Sequence, residues 1–176
     1  MDPITHYILA YAFGRKISLQ KPQLKALTFS ALLPDIDVFT IVLGWDFVVG
    51  FHGRYTHSIT IAVILALILS LIFFLHYKKN VIIYALIGIS MHLLLDTAPT
   101  LLPEWRHVGI MPLYPFSTEE FALRGVFPYS SVIGVVVVGL LLVCSFYLLY
   151  HYMSRKEYPW RIWIDERRIL KALKRR

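Results

Sequence analysis

The sequence predicts an all-α fold: a polytopic membrane bundle of four transmembrane helices, with a short N-terminal half-span or interfacial helix and a basic, amphipathic C-terminal tail. Three observations carry this expectation. Hydrophobic residues make up 57% of the 176 and mean hydropathy is +0.62, too apolar for an ordinary soluble domain. Four apolar runs approach or reach the ~20 helical residues that cross a ~30 Å hydrocarbon core. The net charge of +7 comes from short basic clusters between those runs, the pattern of membrane topology. Membrane lipids are therefore the expected partner, and no nucleic acid is expected.

The elements follow in order. Residues 3–14 are apolar but short, fitting a half-span or an interfacial helix. The first full-length run is 24–44, LKALTFSALLPDIDVFTIVLG. Residues 57–76 form the cleanest run, and 81–96, VIIYALIGISMHLLLD, is a little short for a span. Residues 97–128 are the longest connection, rich in proline and aromatics, and the fourth run is 129–150. The polar tail carries Tyr158, Trp160 and Trp163 near its start. We divide the chain into a membrane-embedded domain, 1–153, and a basic interfacial tail, 154–176. Cys144 is the sole cysteine, so no intrachain disulfide forms. The opening MDPITHYILAYAFG lacks the basic start and small-residue cleavage site of a signal peptide.

Orientation follows from the distribution of lysine and arginine. One set of connections, including Arg15, Lys16, Lys21, Lys25, Lys78, Lys79 and the tail, holds fifteen such residues. The opposite set holds three: Arg54, Arg106 and Arg124. The first set is expected in the cytoplasm, with the tail able to lie against anionic headgroups.

Polar residues inside the runs point to a site. An aspartate within a span costs roughly 2.5–3.5 kcal/mol on insertion scales, yet LLPDIDVF places Asp35 and Asp37 in the first run. Pro34 removes a backbone donor and kinks or breaks the helix there. Non-helical backbone at membrane depth is tolerated only where protein or a wet cavity faces it. His92 and Asp96 are i and i+4, one turn apart on one helical face. FHGRYTHS, just before the second run, adds His52 and His57, with Thr56 and Ser58 as supporting or helix-capping groups. The topology puts His6, Asp35, Asp37, His52, His57, His92 and Asp96 at one membrane depth, on the outer side. Imidazole and carboxylate together suit zinc, with manganese or iron as alternatives.

These motifs resemble the YdjM family of LexA-regulated, membrane-bound, metal-dependent hydrolases. The family pattern is an early histidine, then LPDID, then H-R-G-x-T-H-S, then H-x-x-x-D. Here His6, Leu32–Asp37, His52–Ser58 and His92–Asp96 match in that order, with glycine and arginine exchanged in HGRYTHS. PLYPFS, Pro112–Ser117, resembles a proline-aromatic segment of such proteins weakly. The resemblance implies a helical hydrolase whose metal centre is built from His and Asp ligands.

The expected activity is hydrolysis of a phosphoester in a lipid or other amphipathic substrate, at the extracytoplasmic face of the inner or plasma membrane. Asp37 or Asp96 would serve as general base, and Arg54 would offer its planar fork to a phosphate. The alternative reading is a non-enzymatic protein that binds or moves divalent metal or protons. An intramembrane metalloprotease is disfavoured, because no H-E-x-x-H occurs.

Overall fold

The computed structural model describes residues 3–43, 55–97, 111–119 and 132–164. Among these, the secondary structure is entirely helical. The elements are α1 (Pro3–Lys16), α2 (Lys21–Ser30), a 3-10 helix over Leu33–Leu43, α3 (Ile59–Tyr77), α4 (Ile82–Asp96), α5 (Val132–Ser154) and a tail 3-10 helix over Pro159–Trp163.

The expected 24–44 run is divided between two elements. A proline clashes with the carbonyl four residues earlier, which for Pro34 is that of Ser30, the last residue of α2. The backbone continues with tighter bonding, Asp35 N–H donating to the Leu32 carbonyl at 3.2 Å. Two of the four expected spans are single helices long and apolar enough to cross a membrane: α3, and Val136–Ser154 within α5. With 15 residues, α4 extends only about 22 Å.

α2 and α4 lie at the centre. α4 packs on α2 and α3, while α1 packs on α2 and α5. The core joining α2, α3 and α4 is lined by small residues, including Ala26, Ala62, Ala66 and Ala85. Gly88 brings α4 against α2: a Cβ there would overlap Ser30 Oγ and the Leu27 carbonyl oxygen. Small residues at such crossings let helix backbones approach closely, the usual packing device within membranes. The outer faces are aliphatic, with Leu71 58% and Phe146 64% exposed, far more apolar surface than a soluble monomer leaves open.

The antiparallel arrangement gives the bundle two unlike ends. Arg15, Lys16, Lys21, Lys78 and Lys79 gather where α1 and α3 finish and α2 begins. At that end the buried Lys25 donates to Tyr77 Oη at 2.8 Å. His6, the LPDID segment, His57 and the His92–Asp96 turn occupy the other end.

The tail does not simply trail from α5. Tyr7 Oη donates to the Pro159 carbonyl at 3.0 Å and accepts from Trp163 Nε1 at 3.1 Å. Lys25 Nζ lies 5.5 Å from the Trp163 ring centroid, and Arg15 pairs with Glu157 at 2.8 Å.

Candidate metal centre

Each site residue is placed by a local feature of the chain. On α4 the buried face runs Ala85, Gly88, Ile89, His92, Leu93. This i, i+3, i+4 stripe carries His92 into the bundle and Asp96 one turn further. His57 directly precedes the N-cap of α3: Ser58 Oγ accepts from Ile61 N–H at 3.2 Å and donates to the Tyr55 carbonyl at 3.0 Å. That cap fixes the entry angle of the THS segment. The break at Pro34 turns Asp35 and Asp37 inward, and both are buried.

Asp35, His57, His92 and Asp96 each offer one ligand atom, all within 4.8 Å of one another. His92 Nε2 lies 2.9 Å from Asp96 Oδ2 and 3.4 Å from Asp35 Oδ1. His57 Nε2 lies 3.0 Å from Asp96 Oδ2 and 3.8 Å from Asp35 Oδ1. The two Nε2 atoms are 3.2 Å apart.

The hydrogen bonds behind these atoms assign the tautomers. His92 Nδ1 faces the Ala31 carbonyl at 2.7 Å, and a carbonyl only accepts, so Nδ1 carries the proton. Thr56 Oγ1 donates its single proton to Asp37 Oδ2 at 2.8 Å. The same oxygen is 3.0 Å from His57 Nδ1, and must there accept from Nδ1–H. In the neutral rings both Nε2 lone pairs therefore point at each other and at two carboxylate oxygens. With neutral rings, four acceptor atoms converge on one point, an arrangement that a cation entering among them would relieve.

The dimensions suit one ion. Ligand atoms placed tetrahedrally about 2.0–2.1 Å from a zinc-sized ion lie roughly 3.3–3.4 Å from one another. The five separations above, 2.9 to 3.8 Å, bracket that edge. Metal-bound histidines characteristically donate their other N–H to a carbonyl or carboxylate system, as His92 does to Ala31 and His57 does through Thr56 to Asp37. Asp35 Oδ2 is buried with no hydrogen-bond partner, a further unmet acceptor at the same place.

The remaining candidates surround this quartet. His6 reaches Asp96 from the other side, its Nε2 3.1 Å from Oδ1, and its ring stacks on His92 with centroids 3.9 Å apart. Asp37 meets the quartet through Thr56. His52 and Arg54 lie outside the described residues.

Sequence reasoning missed the Ala31 carbonyl. Its signal is present in hindsight: in a continuing helix that carbonyl would bond Asp35 N–H, or Pro34 if the turn tightened. Asp35 bonds Leu32 instead and proline has no N–H. The proline that breaks the helix thereby frees the acceptor that orients His92.

Fold and site together define an all-helical membrane protein with a buried two-histidine, two-aspartate cluster that can bind a metal ion. Over residues 1–163 the chain matches the family model of the YdjM inner membrane protein, and it belongs to that family. No curated protein and no solved structure matches it.

Proposed function

We propose that this chain is a membrane-bound, metal-dependent hydrolase acting on a phosphoester of a lipid or other amphipathic molecule at the extracytoplasmic face. The observation that carries the reading is the convergence of two imidazole nitrogens and two carboxylate oxygens on one point, with both imidazoles held from behind. Asp35, His57, His92 and Asp96 would hold the ion. The mixed nitrogen and oxygen set favours zinc, with manganese or iron also suited. A bound divalent ion would supply Lewis acidity toward a phosphoryl oxygen and bring the pKa of water toward 7.

The protein's own groups divide the remaining tasks. His6 donates to Asp96 Oδ1 and so fixes the carboxylate that faces both ligand histidines. If a second ion binds, His6, Asp37 and His52 would be the further residues to hold it. Both Asp96 oxygens face imidazoles, so Asp37 is the better placed proton acceptor and Asp96 the second choice. Arg54 is assigned to grip the phosphate. The excess of basic residues at the opposite end supports a cytoplasmic C-terminus and an extracytoplasmic site. The exposed aliphatic helix faces let an amphipathic substrate approach from the leaflet.

A passage for metal or protons is less well supported. It would need polar groups below the site, but Thr28 Oγ1 donates to the Leu24 carbonyl at 2.9 Å and Ser30 Oγ to the Leu27 carbonyl at 3.0 Å. Both hydroxyls spend their proton on a carbonyl of their own helix.

The test is to incubate purified protein with labelled phospholipids and polyprenyl phosphates, supplying zinc, manganese or iron(II) in turn. Metal-dependent product release that disappears in His57→Ala is expected. Release indifferent to both the chelator and the substitution ends the proposal.

A further inference from the structure

At the end of the bundle away from the metal cluster, a cleft of about 220 Å³ opens among α1, α2 and the tail 3-10 helix. Three cations from three separate segments line it: Arg15, Lys21 and Arg161. Among the described residues, Glu157 is the one acidic lining residue, and Arg15 already pairs with it at 2.8 Å. Of the described charges, two positive ones are left over. Lys21 Nζ has a carbonyl contact, to Ile164 at 3.3 Å, which satisfies a donor without neutralising it. The Arg161 guanidinium is held 4.9 Å above the Tyr158 ring, a contact that orients a cation while leaving its N–H fork available.

From this we infer that the cleft is a binding site for a phosphate-bearing anion, at the same end as the bundle's other basic residues. The volume is smaller than the ~300–1,000 Å³ of pockets that enclose whole drug-sized ligands. It suits a headgroup or a free phosphate, with Arg15 and Arg161 presenting planar forks and Lys21 a point charge. Basic pockets between membrane helices are a recurring device for lipid headgroups. Tyr11, Tyr158 and Ile162 complete the walls. Occupancy would add an anionic bridge between the tail and the cations of α1 and α2.

The test uses the full chain purified in a neutral detergent. It is titrated separately with short-chain phosphatidylglycerol, short-chain phosphatidylcholine and inorganic phosphate. Tryptophan fluorescence, reporting Trp160 and Trp163 beside the cleft, and the unfolding temperature are followed. Phosphatidylglycerol is expected to bind saturably and raise the unfolding temperature, while phosphatidylcholine does not. An equal response to inorganic phosphate assigns the site to the free anion; a response to the lipid alone assigns it to a headgroup. Each cation removed weakens binding about fivefold, so Lys21→Gln with Arg161→Gln costs roughly 25-fold. Both side chains are exposed, and the pair should fold normally. Glu157→Gln removes the competing carboxylate and is expected to tighten binding about fivefold, whereas a purely structural Arg15–Glu157 pair predicts the reverse. Wild type silent to both anions, a double variant that binds like wild type, or Glu157→Gln binding no tighter would overturn the inference.

Discussion

Gly88→Ala is the most informative single change, because local preference and packing predict opposite signs. On an isolated helix the alanine would gain about 1 kcal/mol. Here the new methyl group would overlap Ser30 Oγ and the Leu27 carbonyl, and sit 3.1 Å from Ala31 N. Serine can rotate away; the backbone of α2 cannot. Restoring an ordinary contact with the Leu27 carbonyl requires the two helices to part by roughly 1 Å or more. His92 lies one turn along the same face, with Nδ1 2.7 Å from the Ala31 carbonyl. A rigid separation of that size stretches the bond to about 3.7 Å, past the length at which it is a hydrogen bond. Overpacking of about 1–3 kcal/mol and a lost hydrogen bond of about 1 kcal/mol, less the helix gain, leave a net destabilisation of about 1–3 kcal/mol. Thermal unfolding in detergent reads the stability, and competition with a coloured chelator reads metal affinity. Gly139→Ala, where a Cβ meets nothing within 4 Å, is the control and should be neutral or stabilising. If Gly88→Ala matched that control in both assays, it would falsify the close α2–α4 approach and its link to His92.

Three further outcomes are expected. Thr56→Val keeps the shape but removes the relay between Asp37 and His57, and should weaken metal binding 10- to 100-fold, read by the same competition. Adding metal to wild type at 100 times its dissociation constant should stabilise the fold by about 2.7 kcal/mol; Asp96→Asn should show no such gain in calorimetry, and a gain equal to wild type would remove Asp96 from the ligand set. Tyr7→Phe deletes both tail hydrogen bonds at a cost of about 1–2 kcal/mol, and cleavage after Arg155 or Lys156 in limited proteolysis should accelerate.

Much of the helix content was legible because long aliphatic runs leave few alternatives. The expected 57–76, 81–96 and 129–150 correspond to Ile59–Tyr77, Ile82–Asp96 and Val132–Ser154, and 3–14 to Pro3–Lys16. The run 24–44 was harder, since hydropathy continues across Pro34 while the backbone ladder cannot. The types of site residue were also legible, because aspartates and histidines in apolar runs stand out. What they touch was not. Nothing in residue spacing announces that His6 donates to Asp96 at 3.1 Å, or that Thr56 joins Asp37 to His57. These are consequences of helix crossings fixed by alanine and glycine contacts between segments distant in the chain. The tail was read from its charge as an interfacial segment. Its docking depends on Tyr7 and Trp163, 156 positions apart, and no local pattern encodes that.

The bond between His6 and Asp96 closes a loop of 90 residues, and this sets a schedule for biogenesis. At translation rates of roughly 5–20 residues per second, the carboxylate is synthesised about 5–18 s after the imidazole that donates to it. Through that interval α1 and α2 can rest together on their own small contact of Ala10, Leu27 and Ala31. The His–Asp cluster is completed only when α4 packs beside them, so any ion that it can bind must arrive after that step.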